Sequence, residues 1–498
     1  MKLSELLGVL DEPIEDFLLA NLGEAVVAGV TSDSRSVEAG FVFVGIPGLQ
    51  VDGTQFVPQA LENGAVLVVV SDQSDFPPDF DARGKPILRI QDPHLALARL
   101  AGAYFPAPLE QVAAVTGTNG KTSIASFLRQ IWASQGIAAA NIGTIGIEGP
   151  KGTRYGGLTT PDPVGLMQSV QGLVAEGVTH LALEASSHGL EQKRLDCLSV
   201  DIGAFTNLTR DHLDYHGTFE AYRAAKSQLF SRLVRDGGTA IINLDDPSGA
   251  HFLKVAKARR LTCLTVGRSS DADLIVRSID VEGFDQRVHL GGIWGEIDCF
   301  VPLVGSFQVS NALVAGLMAY AGGLKPQDII DAICGLTGAR GRMELVGQSG
   351  ADTAIYVDYS HTPDSLEVAL KALRPFVKGR LICVFGAGGD RDTGKRPLMG
   401  QASNNFADYS IVTDDNPRSE DPALIRAAVM ETVTNGVEVA GRQKAISLGV
   451  DMMTSGDILL VAGKGHETGQ TIKGEILPFS DHEAIAKALA EIEKGAAL

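Results

Sequence analysis

Short apolar runs recur along the chain, each closed by Gly, Pro, Asn or Asp, and between them the apolar positions switch to helical spacing. Phe41-Val42-Phe43-Val44 and Ala65 to Val70 are early examples. They predict a small α/β unit from Met1 to Pro108, ended by the two prolines of Tyr104-Phe105-Pro106-Ala107-Pro108. From there strand-like runs at Val112 to Val115, Leu181 to Leu183, Ile202 to Phe205 and Ala240 to Asn243 alternate with helical stretches. Such alternation predicts a mostly parallel sheet covered by helices on both faces. A third set follows a boundary near Leu336, with strands at Ala354 to Val357, Leu381 to Phe385, Ser410 to Thr413 and Ile458 to Val461. The expected division is therefore 1–108, 109–336 and 337–498, α/β throughout.

Composition narrows the class. A length of 498 residues exceeds what one core usually supports, and 57 glycines fit domains with many tight loops. No run of apolar residues is long enough to span a bilayer, and the start Met1-Lys2-Leu3-Ser4-Glu5 lacks the pattern of an export signal. The five cysteines, Cys197, Cys263, Cys299, Cys334 and Cys383, form no C-x-x-C pair and read as reduced thiols of a cytoplasmic protein. A net charge of −18 without a Lys/Arg block argues against a nucleic-acid partner. Anionic ligands must then be met by local cationic pockets.

The clearest chemistry follows the strand Val112 to Val115. There Thr116-Gly117-Thr118-Asn119-Gly120-Lys121-Thr122-Ser123 leads into a helical run beginning at Ile124. Strand, glycine-rich turn and helix start make a cradle whose N–H groups face phosphate oxygens, with Lys121 at the β/γ-phosphates and Thr122 on Mg²⁺. The strict phosphate-loop pattern would place glycine at 115, where the chain has Val115. The shortened loop indicates nucleotide binding and leaves the reaction open.

Other polar groups sit where strands end. Glu184 closes one strand in Leu181-Ala182-Leu183-Glu184-Ala185-Ser186-Ser187-His188-Gly189, and can equally be a metal-reaching carboxylate or a solvated strand end. Thr206-Asn207-Leu208-Thr209-Arg210-Asp211-His212 follows another, with Asp211 also able to cap a helix. Lys226, read locally, is an ordinary helix lysine on a solvated face. In the last region three strands run into the loops Gly386 to Arg391, Asp414 to Arg418 and Ala462 to Glu467, which a parallel sheet would gather in one crevice.

Taken together, Thr116 to Thr122, Glu184 to Gly189, Asn207 to His212, Ser310-Asn311, Gly341-Arg342-Met343-Glu344 and Asp358-Tyr359-Ser360-His361-Thr362-Pro363 resemble the Mur ligase family across nearly the whole chain. That resemblance implies a small UDP-sugar-binding N-terminal domain, a central ATPase domain of P-loop type and a Rossmann-like C-terminal amino-acid-binding domain. It also implies ATP as co-substrate, held by Gly117, Thr118, Asn119, Gly120, Lys121, Thr122, Ser123, Asn311, Arg342, Asp358 and His361; Gln308 stands where the family often has Asn. Lys226 aligns with a lysine that the family carbamylates with CO₂. The carbamate would ligate Mg²⁺ with His212 and Glu184, while Thr122 and Glu184 hold a second ion; Lys121, Lys226, His212 and Glu184 are then the catalytic set.

The substrate follows from the same resemblance. Ser34 in Thr31-Ser32-Asp33-Ser34-Arg35, together with Thr159, Thr160, Ser187, Gln192 and Arg194, is similar to the segments binding UDP-N-acetylmuramoyl-L-alanyl-D-glutamate. Uracil contacts are also considered around Leu49 to Asp52. Arg391, Asp415, Asn416, Pro417, Arg418, Gly463 and Glu467 match the members that add meso-2,6-diaminopimelate, whose extra carboxylate suits the Arg418 guanidinium. The implied reaction is ATP-dependent amide formation through an acyl phosphate, in peptidoglycan precursor synthesis and hence cell division and shape, by a monomer acting on small molecules. The rivals are an L-lysine-adding homologue, a folylpolyglutamate synthase-like ligase and, from another class, a P-loop NTPase switch.

Overall fold

The computed structural model describes residues 1–10, 14, 24–48, 51–76, 80–82, 84–350 and 352–496. Of the segment considered for uracil, Leu49 and Gln50 lie outside these residues. Packing divides the chain into two units. One comprises Met1–Lys121, Leu128–Thr265 and Leu317–Leu324, the other Thr122–Phe127, Val266–Gly316 and Lys325–Leu498.

In the first unit, Gly29–Thr31, Phe41–Gly45, Leu67–Ser71 and Ile87–Ile90 form a four-stranded parallel sheet in that order. Successive side chains of a strand face opposite ways, and both faces are covered here. Val42, Val44, Leu67 and Val69 pack with Leu97 and Leu100 of the helix Pro93–Tyr104. Phe43, Val68 and Val70 pack with Val57 and Ala60 on the other side. The expected linker begins as the last residue of that helix, Tyr104, which also donates its hydroxyl to Ala28 O at 2.6 Å.

The larger sheet of this unit has a parallel centre in the order Val234–Asn243, Val200–Phe205, Gln111–Thr116, His180–Glu184 and Ala139–Gly143. Gln111–Thr116 thus lies between the two strands that end in the other polar motifs. The register sets Val115 opposite Glu184 and Thr116 opposite Phe205, so all three loops leave one edge. That is where an open parallel sheet binds ligands. The run Ala240 to Asn243 proves to be the end of a longer strand, Val234–Asn243.

In the second unit the strands Ala354–Asp358, Ile458–Ala462, Leu381–Phe385, Tyr409–Val412 and Gly436–Glu438 are parallel, with Glu344–Gly347 antiparallel at one edge. Ile355, Val357, Ile382, Val384, Leu459 and Val461 face one core, and Tyr356, Leu381, Cys383, Phe385 and Leu460 the other. Thr413 drops out of the strand predicted for it and donates its hydroxyl to Val439 O at 2.8 Å. Asp358 pairs with Ala462, Val384 with Val461, and Phe385 with Val412, which brings the loops after four strands to one edge. No described helix is long and apolar enough to cross a membrane.

Candidate functional site

The shortened phosphate loop has a structural explanation. Val115 is a buried strand residue, so the chain leaves the sheet only after Thr116 and turns at Gly117 and Gly120. Both glycines have positive φ, 150° and 88°, and the helix begins directly at Lys121, three residues before the predicted start. At Gly117 a side chain has no room, since a Cβ would lie 1.9 Å from Thr206 Oγ1.

The strand-end segment after Phe205 fastens this loop. Thr118 N donates to Asn207 O (2.9 Å), Asn119 N to Asn207 Oδ1 (3.0 Å), and Thr206 Oγ1 to Asn119 O (2.6 Å). Thr118 Oγ1 accepts from Thr209 N at 3.0 Å. Lys121 Nζ donates to Gly117 O and Thr118 O, at 2.9 and 2.8 Å. Thr122 and Ser123 are buried in the first turn of the following helix.

Lys226 is not solvated. It is 1% exposed, its Nζ donates to Gly117 O at 2.7 Å, and the same Nζ lies 4.6 Å from the centre of the Tyr222 ring. Burial, reinforced by the nearby Lys121 charge, holds its pKa well below the usual lysine value. The local reading failed because residues four apart share a helix face: on Phe219–Gln228 the buried Tyr222 and Lys226 form one stripe with Ala225. Tyr222 itself went unnoticed in the sequence. Its hydroxyl is 3.1 Å from Thr118 Oγ1, and burial raises its pKa to about 12, so it stays a neutral phenol.

Glu184 is also buried, and it anchors a second group. Oε1 accepts from Thr144 N (2.7 Å) and Oε2 from Thr144 Oγ1 (3.1 Å), while Thr144 Oγ1 meets Thr159 Oγ1 at 3.1 Å. Thr160 Oγ1 donates to Glu184 O (2.9 Å), and Arg194 Nη1 donates to Thr160 O (2.7 Å). Arg194 further grips Gln192 Oε1 from Nε and Nη2, and Gln192 Nε2 donates to Tyr215 OH. Thr159, Thr160, Gln192, Arg194 and Glu184 therefore belong to one network, joined through Thr144, which no motif had marked. Ser187 is buried beside it with an unpartnered hydroxyl.

His212 has a left-handed backbone, φ 51°, and stands before the short helix Leu213–His216 without capping it through its side chain. Asp211 does not cap that helix either; its Oδ1 accepts from His212 N at 2.8 Å. The His212 ring packs 5.1 Å from His188 and 6.1 Å from Tyr222. Among the described residues no three His, Cys, Asp or Glu side chains are grouped to hold a metal. Ser34 is engaged elsewhere, buried with its Oγ donating to Gln59 Oε1 at 2.7 Å.

In the second unit Asn311 Nδ2 donates to Gln308 Oε1 (2.9 Å) and Gln308 Nε2 to Arg342 O (3.2 Å), so Gln308 links two expected ATP contacts. The Arg342 guanidinium sits 4.8 Å from the Tyr359 ring, against which His361 and His466 also pack. Asp358 accepts from Met343 N (2.8 Å) and Ser360 N (2.9 Å), yet burial raises its pKa. His361 is exposed.

The loops expected to take an amino acid interlock. Arg418 Nη1 donates to Gly389 O at 2.6 Å, and Gly389 N to Asn416 O at 2.9 Å. Asp415 is buried; Oδ1 accepts from Asn416 N, and Oδ2 is buried without a partner. Asn416 Nδ2 donates to Glu467 Oε2 at 3.0 Å, and Gly463 has φ 117°. Arg391 is exposed on the neighbouring loop. Backbone strain collects here: Asp390 and Arg418 have positive φ although neither is glycine, as do His212 and Met343 in the other motifs.

Three family descriptions match the chain in succession: "Mur ligase family, catalytic domain" over 26–105, "Mur ligase middle domain" over 115–319 and "Mur ligase, glutamate ligase domain" over 341–465. The chain is 47% identical over 493 residues to the UDP-N-acetylmuramoyl-L-alanyl-D-glutamate--2,6-diaminopimelate ligase of Bradyrhizobium diazoefficiens, covering 98% of this chain and 99% of the relative. It is 48% identical to the ligase of that name from Mesorhizobium japonicum, with 99% of each covered. A solved structure of a ligase of that name superposes with a TM-score of 0.73 at 33% identity, over 99% of this chain and 100% of the other. With matches of this extent, the chain belongs to the Mur ligase family and carries three Mur ligase domains.

Proposed function

We propose that this chain is an ATP-dependent ligase that joins meso-2,6-diaminopimelate to the D-glutamyl γ-carboxylate of UDP-N-acetylmuramoyl-L-alanyl-D-glutamate. The step belongs to cytoplasmic peptidoglycan precursor synthesis, and the proposed division of labour is 1–108 for the UDP sugar, 109–336 for ATP and 337–498 for the amino acid. One observation carries the amino-acid assignment. On the one loop that follows the strand Tyr409–Val412 the chain offers a buried, unpartnered carboxylate oxygen, Asp415 Oδ2, and the Arg418 guanidinium at a strained backbone position. That set suits a ligand with an ammonium and an additional carboxylate. L-Lysine would leave Arg418 without its anion, at about 1–3 kcal/mol or more.

The reaction begins when the γ-carboxylate attacks the γ-phosphorus of ATP, giving an acyl phosphate and ADP. Two anions meet in this step, so fixed positive charge lowers the barrier. Lys121 and the N–H groups at the start of the helix it opens would supply it, those of Thr118 and Asn119 being bonded to Asn207. The neutral amine of diaminopimelate then attacks the acyl carbon, the tetrahedral intermediate gives up a proton from nitrogen, and phosphate departs with the C–O bond to leave the amide. Arg194, which donates to Thr160 O and to Gln192 Oε1, would orient the anionic substrate beside Glu184.

Lys226 fits carbamylation because its buried amine is held towards the neutral form, the form that attacks CO₂. Addition of the neutral amine forms the N–C bond as one C–O π bond of CO₂ opens onto oxygen, a proton leaves nitrogen, and a neutral side chain becomes an anion. That carbamate, Glu184 and His212 are oxygen and nitrogen donors of the kind that would hold Mg²⁺, which neutralises phosphate charge when bound.

The test is phosphate release with ATP and the UDP-sugar dipeptide, comparing meso-diaminopimelate, L-lysine and no amino acid. Release stimulated by diaminopimelate is expected. Release stimulated only by L-lysine overturns the substrate, and release indifferent to amino acids overturns the ligase reading in favour of an NTPase switch.

A further inference from the structure

Beside the amino-acid loops lies a lysine that no motif requires. Lys464 follows the strand Ile458–Ala462 and is wholly buried, 0% exposed. The backbone turns it inward through two glycines with positive φ, Gly463 at 117° and Gly465 at 55°. Neither glycine tolerates a side chain: a Cβ at 463 would lie 2.6 Å from Asp415 Oδ2, and one at 465 2.8 Å from Tyr359 Cβ. The Gly-Lys-Gly run is therefore a device for burying an ammonium at the edge of the sheet.

A buried cation needs an anion and hydrogen-bond acceptors. Lys464 Nζ donates to Glu467 Oε2 at 2.8 Å and to Asn416 Oδ1 at 3.2 Å. Asn416 Nδ2 donates to the same Glu467 Oε2 at 3.0 Å, and Thr471 N donates to Asn416 Oδ1 at 2.9 Å. Lysine, asparagine and glutamate thus close a triangle in which one carboxylate oxygen receives both donors. Arg442, also buried nearby, is committed to Asp481 at 2.7 and 2.8 Å.

We propose that Lys464 is a positioning residue for the amino-acid substrate: it anchors Glu467 through Oε2 and so presents Oε1 to the substrate ammonium. This rests on the proposed function, with Glu467, one of the residues matched to the diaminopimelate-adding members, taken beside Asp415 as a partner of the substrate ammonium. The anchor also explains how Glu467, at the rim and about a third exposed, keeps one orientation. Tying Asn416 into the same triangle fixes the loop that carries Arg418, so the anionic and cationic grips on the substrate hold a constant separation.

The experiment measures kcat and KM for meso-diaminopimelate, ATP and the UDP-sugar dipeptide in Lys464→Met, Glu467→Gln and the double variant. Losing a charge-assisted anchor is expected to raise KM for diaminopimelate by about tenfold in Lys464→Met, with KM for ATP unchanged within about twofold. If the lysine acts through Glu467, the double variant is no worse than Glu467→Gln alone, because the effects are not additive. A merely structural lysine would lower the folded fraction, and so kcat, without moving one KM selectively.

An unchanged KM for diaminopimelate in Lys464→Met, with Glu467→Gln impaired, overturns the inference. An unchanged KM in Glu467→Gln overturns the reading on which it rests. Should Lys464→Met fail to fold, Lys464→Gln keeps one N–H for Glu467 and loses the charge. An intermediate KM supports the proposal, and a wild-type KM refutes it.

Discussion

A lysine that is 1% exposed and close to a second lysine can lower its free energy by shedding its proton or by gaining negative charge. For Lys226 the proposed carbamylation makes the two routes successive, since it is the neutral amine that attacks CO₂. The prediction is a carbamate ¹³C NMR signal from enzyme equilibrated with ¹³C-bicarbonate, absent in Lys226→Met. Lys226→Ala should lose about 100-fold or more in ligation, as metal-supporting groups do, and recover partly with added small carboxylates. Full activity of Lys226→Ala in bicarbonate-free buffer would remove the role. Tyr222 belongs to the same argument, because its ring lies against the lysine and its hydroxyl reaches the nucleotide loop.

Among elements, the strand Gln111–Thr116 and the turn after it matter most, because one glycine there carries a steric constraint. Gly117→Ala would force a Cβ to 1.9 Å from Thr206 Oγ1 at φ 150°. Calorimetric titration should show ATP affinity falling by about tenfold or more while the fold persists, the constraint being confined to the loop. Unaltered ATP binding would mean that the loop is not the nucleotide cradle. This turn was legible in the sequence because strand, glycines and Lys-Thr are contiguous. So were the parallel strands, whose alternating residues, such as Val42 and Phe43, pack on opposite cores. What stayed hidden depended on contacts between distant segments. Thr144 gains meaning only when Glu184 arrives from another strand, 40 residues on. Lys464 becomes an anchor only once Asn416 lies beside it. The local reading of Lys226 as solvated failed although Tyr222, one helical turn earlier, carried the signal of a buried face.

At the scale of the whole molecule, a chain of net charge −18 that handles anionic substrates concentrates its useful cations at loop edges and holds several histidines half-buried, where the neutral ring is favoured. Burial lowers the pKa of His466 to about 4, with the Arg342 and Arg340 charges adding to the effect, and burial also lowers those of His94, His180 and His251. Each of these groups binds a proton more readily when the chain is unfolded. Between the unfolded value of 6.5 and the lower folded value, unfolding therefore takes up protons, and stability falls as pH falls. Asp358 opposes this, since its raised pKa favours the folded, protonated form as acid is added, but it is one group against several. Melting temperature should accordingly decline by several degrees from pH 6.5 towards 4.5, before the carboxylates with lowered pKa, such as Asp457, are protonated. His466→Gln should flatten that decline, because glutamine takes up no proton on unfolding. A melting temperature that stays constant across this interval would show that these half-buried histidines do not control the molecule's response to acid.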